Sequence, residues 1–95
     1  MKERIIKNEE RLDSVLSSIK NLEKALEEFK KNKRNIYLLN RYYGSNNWFK
    51  DKEAYENNKI KVKAGVLSED AVWNMRDDID DLIIEMKKIV KGFDK

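Results

Sequence analysis

A chain of 95 residues supports one modest hydrophobic core and is too short for two. It has no proline and three glycines, with 41% charged and 40% hydrophobic residues, which suits long amphipathic helices and excludes both disorder and a turn-rich β fold. It contains no cysteine and no histidine, which removes thiol nucleophiles, disulfides and thiolate sites, as well as the commonest metal ligand and the usual neutral-pH acid–base group. The net charge of +3 is divided between a basic first half and an acidic last helix, so it is weak evidence for an anionic partner.

The first predicted element runs from about residue 3 to about residue 43. Ile5, Leu12, Ile19 and Leu26 form one row of a heptad seam; Val15, Leu22, Phe29, Ile36 and Tyr43 form the other. Asn8, Lys33 and Asn40 interrupt it. A period near 3.5 residues held this long predicts a helix with a coiled-coil-like seam, broadened by Leu16 and Ala25. The polar stretch Lys30–Asn35 predicts a kink or break near 31–35. Beyond it Ile36, Tyr37, Leu38, Leu39, Tyr42 and Tyr43 ring the helix with apolar groups, so more than one face needs cover.

Gly44 is placed to cap that helix in the left-handed conformation, and Ser45 to cap a short helix over 46–57 bearing Trp48, Phe49 and Tyr55. Residues 58–67, with Ile60 and Val62 among lysines, predict an extended connection packed over one end of the bundle. Ser68-Glu69-Asp70 then predicts a helix start, a capping hydroxyl followed by carboxylates in the positive first turn. The last helix, about 69–91, aligns Val72, Met75, Ile79, Leu82, Ile83, Met86, Ile89, Val90 and Phe93 in a stripe. Its length of about 35 Å suits antiparallel pairing with the first helix. The expected architecture is therefore all-α: one helical domain over 1–95, with two long antiparallel amphipathic helices and the segment 46–67 folded over one end.

Three surface features have a plain and a sharper reading. The acidic run Asp77-Asp78-Ile79-Asp80-Asp81, with Glu85, is first a solvated face; no glycine-bearing calcium loop surrounds it, and no metal site is expected. The basic residues Lys30, Lys31, Lys33, Arg34 and Arg41 form the candidate nucleic-acid patch, without a helix-turn-helix or zinc-finger framework to support it. Trp73 and Ile84 lie on a second strip of the last helix. Cover by segment 36–67 is the simpler account, and a partner or dimer surface is the sharper one.

The densest signal is Tyr42-Tyr43-Gly44-Ser45-Asn46-Asn47-Trp48 with Asp51, followed by Gly65-Val66-Leu67-Ser68-Glu69-Asp70. On these two motifs the chain resembles the small bacterial family of domain of unknown function 4298. The resemblance implies a bacterial helical domain and supplies no activity. Two accounts of the motif stay open: aromatics beside a glycine turn lock the loop onto the helices, or Tyr42, Tyr43, Trp48, Asp51, Glu69 and Asp70 form a recognition patch of hot-spot composition. The expected function is a non-enzymatic protein-interaction or adaptor module whose partner is another protein or a second copy. Nucleic-acid association is the alternative, and no cofactor is expected. The N-terminal residues lack an apolar run for a signal peptide or membrane span, so a cytoplasmic setting is expected.

Overall fold

The computed structural model of the protein describes residues 1–93. These form four α-helices and one 3₁₀ turn, with no strand: α1 Lys2–Lys31, α2 Lys33–Tyr42, α3 Asn46–Glu56, a 3₁₀ turn Gly65–Leu67, and α4 Ala71–Gly92. The all-α expectation holds. The chain divides into two compact units, Met1–Ile36 and Tyr37–Lys95. Among the described residues no helix is long and apolar enough to cross a membrane.

The first unit is essentially α1. Its heptad seam is present as a continuous stripe, yet no residue of α1 is buried. The interruption expected near 31–35 is present and falls at one residue, between α1 and α2. Asn32 has φ −87° and ψ 0°, too flat in ψ to continue an α-helix. Its amide side chain steadies the break on both sides. Asn32 Nδ2 donates to the Glu28 carbonyl at 3.1 Å, and its Oδ1 accepts from Asn35 Nδ2 at 3.0 Å. Asparagine readily trades a helical ladder for such local bonds.

In the second unit the local signals in the sequence have direct counterparts. Gly44 has φ +76°, as a glycine cap after α2 requires. Ser45 caps α3, its Oγ accepting from the Trp48 N–H at 3.2 Å. The other end of α3 closes with a Schellman pattern, in which Lys59 N–H donates to the Ala54 carbonyl and Asn58 N–H to the Tyr55 carbonyl. Asn58 supplies the left-handed residue at φ 59°, a conformation asparagine tolerates better than most side chains. The connection that follows is not extended throughout. It ends in the 3₁₀ turn, which packs against α3 and α4. Ile60 and Val62 remain exposed.

The last helix begins at Ala71, two residues later than Ser68 suggests. Ser68 still does the capping: its Oγ accepts from the Ala71 N–H at 3.1 Å. The buried hydrophobic residues are Trp48, Leu67 and Val72, one each from α3, the 3₁₀ turn and α4. Around them Leu39, Tyr42, Tyr43, Val66, Met75 and Ile79 are half-buried. The simpler account of the second apolar strip is overturned. Trp73 is 56% and Ile84 54% exposed, because the segment folded back over α4 reaches only its Val72–Met75–Ile79 face.

Candidate functional site: an aromatic knot

The two sequence motifs meet, and they meet through hydrogen bonds. Trp48 sits on the first turn of α3, held there by Gly44 and the Ser45 cap, and its Nε1 donates to the Val66 carbonyl at 3.0 Å. Tyr43 stands just before the glycine turn, and its hydroxyl donates to the Glu69 carbonyl at 2.7 Å. Both donors come from the first motif and both acceptors are backbone atoms of the second. Tyr43 and Trp48 also touch edge to face, with ring centroids 5.1 Å apart. Such a pair contributes about 0.5–1.5 kcal/mol beyond the area it buries.

Tyr42 and Asp51 form the second link. The Tyr42 hydroxyl donates to Asp51 Oδ2 at 2.6 Å, joining the end of α2 to the middle of α3. Ionising that hydroxyl would break the bond, leave a second anion beside the carboxylate and charge a partly desolvated oxygen. For these reasons, with the lost hydrogen bond first, the phenol is pushed up to about 12. Next to the pair lies a cavity of about 170 Å³, walled by Tyr42, Asp51, Tyr55, Ile60, Val66 and Leu67 among others.

Two cations complete the knot, and neither stood out in the sequence. Arg76 donates from Nε to Asn40 Oδ1 at 2.7 Å and from an Nη to the Asn40 carbonyl at 3.4 Å. Its guanidinium also lies 5.3 Å from the Tyr43 ring centroid, a cation–π distance. This gives the seam-breaking Asn40 a partner. Arg76 falls between Val72 and Ile79 on the inward stripe of α4, and that placement was its one legible signal. Lys52 lies 5.0 Å from the Trp48 ring centroid and 3.1 Å from Glu69 Oε1. It caps the buried indole while reaching across to the second motif.

The recognition-patch residues are thus brought together, with most of their polar ends engaged inside the protein. Trp48 is 4% exposed; Tyr42, Tyr43 and Asp51 are half-buried; Glu69 and Asp70 are exposed. The basic residues of the alternative patch fall in separate units and are described separately. Lys30, Lys31, Lys33 and Arg34 are exposed around the Asn32 break, with Lys30 3.9 Å from Glu27. Arg41 donates to the Tyr37 hydroxyl at 3.0 Å. The acidic residues Asp77, Asp78, Asp80, Asp81 and Glu85 are all exposed. Among the described residues no three acidic side chains are grouped to hold a metal ion.

What this geometry defines is a helical domain closed by an aromatic lock, a glycine turn bonded to a distant Gly-Val-Leu-Ser-Glu-Asp turn. The chain belongs to the family described as domain of unknown function (DUF4298), whose model matches residues 5–89 and so runs across both units. No curated protein and no solved structure gives a significant match.

Proposed function

We propose that this chain is a non-enzymatic interaction module of the bacterial cytoplasm, in which the knot is scaffold and the exposed C-terminal half of the α4 apolar stripe meets a protein partner. The observation behind this is where burial stops. Val72 is buried and Met75 and Ile79 are half-buried, but every described residue of α4 after Ile79 is exposed. Leu82, Ile83, Met86, Ile89 and Val90 continue the same helical stripe. A shallow, mainly apolar groove beside it is edged by Lys87, Lys88 and Lys91. Apolar side chains in helical register rimmed by charge are the usual composition of a helix-in-groove or helix–helix contact. The knot residues suit scaffolding better than recognition, since Trp48, Tyr42 and Tyr43 already bond within the chain.

Affinity capture with the wild type and with an Ile83→Asp/Ile89→Asp double variant tests this. Both substitutions fall on exposed positions, so near-ultraviolet circular dichroism should show an intact knot. The expected result is that the variant loses partners that the wild type retains. Identical captured sets from the two proteins would refute α4 as the contact surface.

A further inference from the structure

Thirty residues of α1, about 45 Å of helix, carry a heptad seam in which no residue is buried. Ile5, Leu12, Val15, Ile19, Leu22, Leu26 and Phe29 are between 43% and 60% exposed. A helix of this kind draws its stability from covering its apolar face, because propensity alone leaves isolated helices marginal. We infer that α1 is covered by α1 of a second copy of this chain, in a parallel, in-register two-stranded coiled coil.

Three observations select this occupant. The first is area. Seven large side chains, each about half exposed, give roughly 1,300 Å² over two copies, inside the range of stable protein interfaces. The second is Asn8. The 3–4 spacing puts Ile5, Leu12, Ile19 and Leu26 at a positions and Asn8, Val15, Leu22 and Phe29 at d positions. In an antiparallel pair of α1 helices d residues face a residues, and every a residue of α1 is Ile or Leu. Asn8 would then be buried against an aliphatic side chain. Within one chain the Asn8 amide donates to the Arg4 carbonyl and accepts from Arg11. Only a parallel pair in register sets it against its own counterpart, where the two amides can exchange these exposed bonds for bonds to each other, the way a single polar seam residue fixes orientation and register. The third is charge. Flanking g and e positions in that register bring Arg4 against Glu9 of the second copy, while Arg11, Ser18 and Ala25 meet Leu16, Glu23 and Lys30 with no like-charge pair.

This inference concerns α1 and stands apart from the reading of α4. The absence of cysteine from the chain makes it directly testable by introduced thiols. Light scattering at micromolar concentration should give twice the chain mass, and Leu22→Asp should reduce it to one. Phe29→Cys chains, which keep Asn8, should form disulfide-linked dimers on mild oxidation, since facing d positions approach closely enough for a disulfide. Phe29→Cys chains mixed with Ile5→Cys chains should each link to their own kind. A wild type with the mass of one chain would overturn the inference, and so would preferential Phe29→Cys to Ile5→Cys linkage. A Leu22→Asp protein that stays dimeric would do the same, by showing that another surface holds the copies together. None of these results bears on the capture experiment with α4.

Discussion

Replacing Trp48 by alanine is the most direct perturbation of the knot. The indole is 4% exposed and is wedged against Tyr43 at 5.1 Å and Phe49 at 5.0 Å between ring centroids. Truncating a buried aromatic to alanine costs about 3–5 kcal/mol. Losing the Nε1 bond to the Val66 carbonyl adds about 1 kcal/mol. A small domain has only about 5–15 kcal/mol of stability in total, and the buried hydrophobic set here is Trp48, Leu67 and Val72. Trp48→Ala is therefore expected to abolish most near-ultraviolet dichroism of the second unit, while α1 keeps part of the far-ultraviolet helix signal. Trp48→Phe separates the terms. It keeps an aromatic ring and removes the donor, so urea titration should show a loss of about 1–3 kcal/mol. If Trp48→Ala lowers the urea midpoint by less than the equivalent of about 1 kcal/mol, Trp48 is not what holds the two motifs together.

Three further outcomes follow from the same geometry. Tyr42 titrates at about 12 in the folded chain against an ordinary 10.0, so its contribution is fully present below about pH 10. It is lost as pH rises from about 10 to about 12, where the unfolded chain ionises first; Tyr42→Phe should flatten that decline in pH-dependent urea titrations. Arg76→Lys keeps the charge but not the fork to Asn40, and should cost about 1 kcal/mol in the same assay. Gly44→Ala meets no atom within 4 Å but must hold φ +76°. A thermal melt should show a destabilisation of about 1–2 kcal/mol.

Features that depend on residues a few places apart were legible in the sequence. The seam period announced α1, Gly44 announced its own left-handed turn, and the hydroxyls of Ser45 and Ser68 were recognisable as caps. The break at Asn32 lay within the polar stretch, though nothing local distinguished Asn32 from Asn35. What escaped were relations across distance. Arg76 and Asn40 are 36 positions apart, and no pattern on either helix reveals that the two bond. Periodicity also identifies a stripe without identifying its cover. Trp73 and Ile84 therefore read as a face in need of packing, and the structure leaves both exposed. The aromatic motif was visible as a cluster, but whether Trp48 points inward is decided by the Val66 carbonyl 18 residues away.

The links between the two motifs have a practical corollary in the stretch that joins them. Residues 57–63 are all exposed, and both flanks are fastened: α3 by its C-terminal bonds, the 3₁₀ turn by Trp48. Lengthening a loop with fixed ends is inexpensive, about 0.6 kcal/mol for each doubling, and exposed polar tips are where foreign sequence is best accepted. The tip near Lys61 is thus a natural port for grafting an epitope, a protease site or a fluorescent reporter, and one at which this chain can be lengthened while its lock stays closed.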